Sequence, residues 1–98
     1  MEIKQIVWDK VVLEELKDIS DYLKFKPEQT SKIISEILKL IKDLKSDSEI
    51  YQFDRFKIDN DGGFRAFEKH HYRISYRVTE FEVRILRIRH TSQNPKKH

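Results

Sequence analysis

The sequence predicts an α+β domain of two layers, a helical hairpin packed on one face of a small antiparallel sheet, in the order β-α-α-β-β-β. Three observations lead there. Apolar residues recur at helical spacing through two successive stretches. A pair of adjacent glycines, Gly62 and Gly63, then marks a change of period, and three β-rich runs follow it. A short β-rich run also precedes the helices. With 98 residues the chain makes one domain, 1–98.

Each element has a local cause. Ile3–Trp8 is short, apolar and β-rich, and reads as an opening strand. Asp9 follows as the N-cap of a helix whose stripe is Val12, Leu16, Ile19 and Leu23, with Leu13 flanking. That helix is expected to end near Phe25, because Pro27 disfavours helical geometry at Lys26. Pro27 suits the first turn of the next helix, where its missing N–H is harmless. Ile33, Ile34, Ile37, Leu38, Leu40, Ile41 and Leu44 give this second helix a wide apolar face.

Residues 46–63 form a long connection whose apolar content, Ile50 to Ile58, predicts packing and a short strand around Phe53–Ile58. Asp59-Asn60-Asp61-Gly62-Gly63 is the strongest turn signal in the chain. Strands are then expected over Phe64–Lys69, His71–Thr79 and Phe81–Arg89, with Glu80 at the centre of a tight turn. Tyr72, Ile74, Tyr76 and Val78 alternate with Arg73, Ser75 and Arg77, so one face is apolar and the other basic. The last run puts Val83 and Ile85 on one face and Leu86 and Ile88 on the other. That pattern fits either a strand buried on both faces or a bulge. The tail 91–98 is polar and is expected to be mobile.

Composition excludes several function classes. With no cysteine there is no disulfide scaffold, thiolate metal site or cysteine nucleophile. No apolar run approaches the ~20 residues of a membrane span, and the opening MEIKQIVWDK is unlike a signal peptide. The expectation is a soluble cytoplasmic chain with no membrane partner and no cofactor. Adjacent histidines on a strand point to opposite faces and no carboxylate spacing supports them, so no metal site is expected.

The formal net charge of +3 conceals a division. Residues 1–63 carry 11 Lys and Arg against 14 Asp and Glu, whereas residues 64–98 carry 9 against 3 and hold all four histidines. Arg65, Arg73, Arg77, Arg84, Arg87 and Arg89 all fall in that last third. Arginine binds phosphate or carboxylate through a planar fork, so its clustering points to a polyanionic partner. Arg73 and Arg77 lie roughly 13 Å apart along a strand at ~3.3 Å per residue, a spacing suited to successive phosphates. Arg84, Arg87 and Arg89, with Lys96 and Lys97 of the tail, extend the same nucleic-acid-binding surface. The competing reading is a solvated face paired with Glu68, Glu80 and Glu82. Three acids cannot satisfy six arginines, which favours anion binding.

In phosphodiester cleavage by a 2′-hydroxyl, a histidine takes the proton while arginines stabilise the developing charge. His90 is the candidate base, with Arg73 and Arg65 as the candidate stabilising groups. Glu68 and His71 are further candidates for a base or an orienting partner.

The run Tyr72-Arg73-Ile74-Ser75-Tyr76-Arg77-Val78, a tight turn, and Val83 to Thr91 resemble the RelE/ParE superfamily of toxins from bacterial type II toxin–antitoxin systems, a group that includes plasmid-stabilisation proteins. Arg65-Ala66-Phe67, Gln93-Asn94-Pro95 and the β-α-α order extend the match over the whole chain. The resemblance implies a toxin held inactive by a cognate acidic antitoxin. RelE-like members act as ribosome-dependent endoribonucleases, cleaving messenger RNA in the A site, and ParE-like members act on DNA gyrase. Arg73 matches the arginine that RelE-like nucleases place at the start of this strand. Their second arginine falls near Gln93, and no tyrosine follows Tyr76; Arg89, His90 and Thr91 stand where substitutes would lie. The principal expectation is action on ribosome-bound mRNA, with gyrase inhibition and a small RNA-binding module as alternatives.

Overall fold

A computed structural model describes residues 4–22, 26–47 and 60–91. Its elements are β1 (Gln5–Trp8), α1 (Lys10–Tyr22), α2 (Pro27–Asp43), β2 (Phe64–Lys69), β3 (Tyr72–Val78) and β4 (Glu82–His90). The order β-α-α-β-β-β and the two layers are as the sequence predicts. The expected strand around Phe53–Ile58, the end of the first helix near Phe25 and the tail with Lys96 and Lys97 lie outside the described residues.

The sheet has the order β1-β4-β3-β2 and is mixed, which corrects the expectation of an antiparallel one. β2, β3 and β4 form an antiparallel meander, and β1 joins parallel to β4, with Gln5 opposite Glu82 and Trp8 opposite Ile85. A parallel pair needs a crossover. The two helices belong to that crossover, so the first strand ends beside the last.

Both helices bury the centre of the stripe read from their spacing. Leu13 and Leu38, expected on the apolar faces, are exposed at the stripe margins, and Leu23 lies outside the described residues. Val12 and Ile19 of α1 and Ile33, Ile37 and Ile41 of α2 meet Phe67, Ile74, Tyr76, Val83, Ile85 and Ile88 in one apolar cluster. Pro27 opens α2, and Thr30 bonds back to the Lys26 carbonyl through its N–H (3.0 Å) and hydroxyl (3.1 Å).

β4 resolves the choice left open above, because it is both central and bulged. It lies between β1 and β3, and its register with β3 shifts between Ser75 and Tyr76, which oppose Arg87 and Ile85. Leu86 is the extra residue. Beyond it Ile88 returns to the helix-facing side opposite Ile74, and Arg87 and Arg89 stay on the outer side with Arg84.

The turns follow their residue types. Asn60 accepts from the N–H groups of Gly62 (2.8 Å) and Phe64 (3.2 Å), and Asp61 accepts from Gly63 (2.8 Å). Gly62 takes φ +94°, and a Cβ on Gly63 would stand 3.0 Å from the Val78 carbonyl. Glu80 and Phe81 make the β3–β4 turn, where the Lys4 ammonium donates to the carbonyls of Thr79 (2.8 Å) and Glu80 (3.0 Å). No helix among the described residues is long and apolar enough to cross a membrane.

Candidate functional site

Alternation and the Leu86 bulge place Arg73 and Arg77 of β3 and Arg84, Arg87 and Arg89 of β4 on the sheet face away from the helices. Arg73 opposes Arg89, Ser75 opposes Arg87, and Arg77 opposes Arg84. Two columns of guanidinium groups this close repel one another unless anions intervene. Carboxylates do intervene, at every position of the ladder.

Arg73 lies 3.5 Å from Glu68, its cross-strand neighbour on β2. Arg77 lies 3.3 Å from Asp61, and its guanidinium also stands 4.7 Å over the Phe64 ring. Arg84 bonds Asp9 (3.1 Å) and Glu82 (3.2 Å). The hydrogen bond it donates to Asp9, then the charge of Glu82, push its pKa above the ordinary arginine value. Arg87 donates through two nitrogens to Glu15, each at 3.2 Å, and Arg89 is 3.9 Å from the same oxygen.

This corrects the arithmetic of incomplete pairing. Glu68 and Glu82 were foreseen as partners, but Asp9, Glu15 and Asp61 come from the acidic first two thirds of the chain. Parallel pairing of β1 sets Asp9 and α1 beside β4, and the Asn60–Gly63 turn returns Asp61 to the end of β3. Glu15 was missed. Its other oxygen accepts the Ile88 N–H at 2.9 Å, filling a β4 edge position beyond the end of β1. The signal was present, since Glu15 stands between Val12 and Ile19 at helical spacing, a carboxylate on a buried stripe.

The three residues expected to act together on a phosphodiester are not brought together. Arg73 projects from the outer face. His90 opposes Tyr72 on the helix-facing side, with its ring edge-on to Tyr72 at 5.2 Å. Arg65 opposes Tyr76 on that same inner side. Adjacent strand residues point to opposite faces, so His90 cannot share a site with its neighbour Arg89 or with Arg73.

His71, expected to open a strand, lies in a turn instead. His70 and His71 form the two-residue β2–β3 turn, at φ +53° and +66°. His70 bonds Glu36 of α2, and this hydrogen bond holds the Glu36 carboxyl below its usual pKa. His71 stacks toward His90 with ring centroids 6.3 Å apart. Among the described residues no group of three or more His, Asp or Glu is arranged to hold a metal.

Residues 6–95 match the family model for the ParE toxin of the type II toxin–antitoxin system parDE. The chain belongs to the ParE toxin family. A solved structure of the chromosomal ParDE toxin–antitoxin system from P. aeruginosa shares the fold, with a TM-score of 0.71 at 22% identity, covering 90% of this chain and 96% of that one. No curated protein matches the sequence. For this ParE-family chain, the arginine ladder is a self-paired surface built into the fold, with a carboxylate assigned to each guanidinium.

Proposed function

We propose that this ParE-family toxin arrests growth in the cytoplasm by binding DNA gyrase, without cutting RNA, and that a cognate acidic antitoxin holds it inactive. The observation that carries the reading is the separation of Arg73 and His90 onto opposite faces of the sheet. General-base cleavage needs the base and the charge-stabilising group within reach of one phosphate. The paired arginines support the same reading, because phosphate must compete with the carboxylate already beside each guanidinium. Family membership supports it as well, since the ParE-like branch is the one the sequence resemblance associates with gyrase.

The test pairs two assays on the purified chain. Supercoiling by gyrase is expected to fall with added toxin, while primer extension on a translated message with purified ribosomes shows no new ends. The double variant Arg73→Ala, His90→Ala is expected to keep its toxicity. Message cleavage that disappears in this double variant would instead establish ribosome-dependent RNA cleavage.

A further inference from the structure

The β3–β4 turn carries an aromatic ring where turn chemistry calls for a small or polar residue. Gly, Pro, Asn, Asp and Ser dominate tight turns, yet position 81 is phenylalanine. Phe81 is 75% exposed, more than any other large hydrophobic among the described residues. Leu13 and Leu38 border buried helical stripes, so their exposure follows from the helix period. Phe81 lies between two strands and belongs to the alternation of neither.

The backbone beneath the ring is held at every carbonyl from Thr79 to Glu82. The Lys4 ammonium donates to Thr79 (2.8 Å) and Glu80 (3.0 Å). The Gln5 N–H donates to Phe81 (3.2 Å), and the Thr79 N–H donates to Glu82 (2.9 Å). The Glu82 N–H in turn donates to the Thr79 hydroxyl at 3.2 Å. Lys4 thus gives up the freedom of a four-carbon side chain to fix a turn whose ring stays in solvent. A ring with two torsions on a fixed backbone loses little entropy on entering a pocket.

We propose that Phe81 is the anchor by which this chain docks on the protein it inhibits, entering an apolar pocket with a basic group at its rim. Aromatic anchors in desolvated pockets carry most of the affinity of an interface. The basic rim follows from Glu80, which is exposed and has no ion-pair partner among the described residues, whereas Glu82 already has Arg84 at 3.2 Å. A stable interface buries about 1,200 Å² or more, so one ring is its centre and not its whole. The Asn60–Gly63 turn stands at the same end of the sheet, where Gly63 accepts the Val78 N–H at 2.7 Å, and supplies further contact. A second copy of this chain fits poorly, since pairing two tips sets Glu80 against Glu80. The inference rests on the proposed function in naming gyrase as the bearer of the pocket; a binding inhibitor needs such an anchor and an RNA-cleaving one does not.

The test compares the full chain with Phe81→Ala, Phe81→Trp and Lys4→Met. Phe81→Ala removes exposed atoms, so its urea midpoint is expected to match the parent's. On immobilised, purified gyrase it is expected to bind about thirtyfold more weakly, roughly 2 kcal/mol, while Phe81→Trp stays within about threefold of the parent. Lys4→Met keeps the ring but frees the turn, and circular dichroism checks its fold. It is expected to weaken binding by itself and to add nothing in the Phe81→Ala background, because a turn without its ring no longer needs holding. Induced in bacteria at equal levels, Phe81→Ala is expected to permit growth that the parent and Phe81→Trp arrest. A parent that does not bind gyrase overturns the gyrase reading, and the growth comparison then decides the anchor by itself. Growth arrest by Phe81→Ala equal to the parent's overturns the proposal. Gyrase binding that is the same for parent and Phe81→Ala overturns it too.

Discussion

At the scale of single residues, Glu15 of α1 carries more polar contacts than any other acid that meets the arginine ladder. One oxygen takes both donors of Arg87, the other takes the Ile88 N–H, and Arg89 approaches within 3.9 Å. Its side chain is only 14% exposed, so solvent screens these contacts less than it does those of Asp61. Truncation would leave a partly buried backbone donor and two arginines short of an acceptor. Glu15→Ala is expected to cost about 2–3 kcal/mol in urea unfolding. Glu15→Gln keeps an acceptor for Ile88 and is expected to lose about 1 kcal/mol. Equal losses in the two variants would show that charge rather than the backbone bond matters. The spacing of Val12, Glu15 and Ile19 holds the signal for this half-buried carboxylate, but the sequence reading did not take it up. Its partners were not legible, because they depend on which strand pairs with β1.

At the scale of elements, the β2–β3 turn and the β4 bulge show where local reading stopped. Two residues with positive φ are what a tight two-residue hairpin loop demands, and Asn-Gly is its usual occupant. Histidine tolerates the left-handed region better than most residues, yet two in succession remain strained. Replacing His70-His71 with Asn-Gly is expected to stabilise the hairpin by about 1–2 kcal/mol, read as a higher urea midpoint at pH 7. The exchange also removes the His70–Glu36 contact, a solvent-screened pair that is the smaller effect. Glu36 has its pKa lowered by folding, so its contribution is complete above the ordinary 4.5 and disappears as pH falls through the lowered value. The Asn-Gly variant is therefore expected to lose less stability than the parent in that acid range. The sequence placed His71 in a strand because nothing in a His-His pair announces a turn. The alternation of β4 did announce its irregularity at Leu86, and the register decided what that irregularity was.

At the scale of the whole molecule, the fold closes the charge division written along the chain. The helices, their stripes, the meander and the glycine turn were legible because each follows from local spacing and turn chemistry. The parallel pairing of β1 with β4 was not, since it joins residues about 75 positions apart by a choice of edge rather than by propensity. That one pairing sends Asp9 to Arg84 and Glu15 to Arg87, and so converts an apparently anion-seeking face into a self-neutralised one. A consequence follows for nucleic-acid binding, whose salt dependence counts the phosphates a protein neutralises, with a slope of about 0.7 per contact on single strands. The parent chain is expected to bind generic single-stranded RNA weakly and with a shallow slope. Asp9→Asn, Glu15→Gln and Asp61→Asn together add three positive units to the formal net charge of +3 while keeping side-chain acceptors for the local hydrogen bonds. That triple variant is expected to bind RNA more tightly, and three freed arginines steepen the slope by about 2. Circular dichroism confirms that the variant is folded. A parent slope already as steep as the variant's would mean that the carboxylates never held the arginines from phosphate. In that outcome the outer sheet face returns as an RNA-binding surface, and the weight shifts from gyrase to the ribosome.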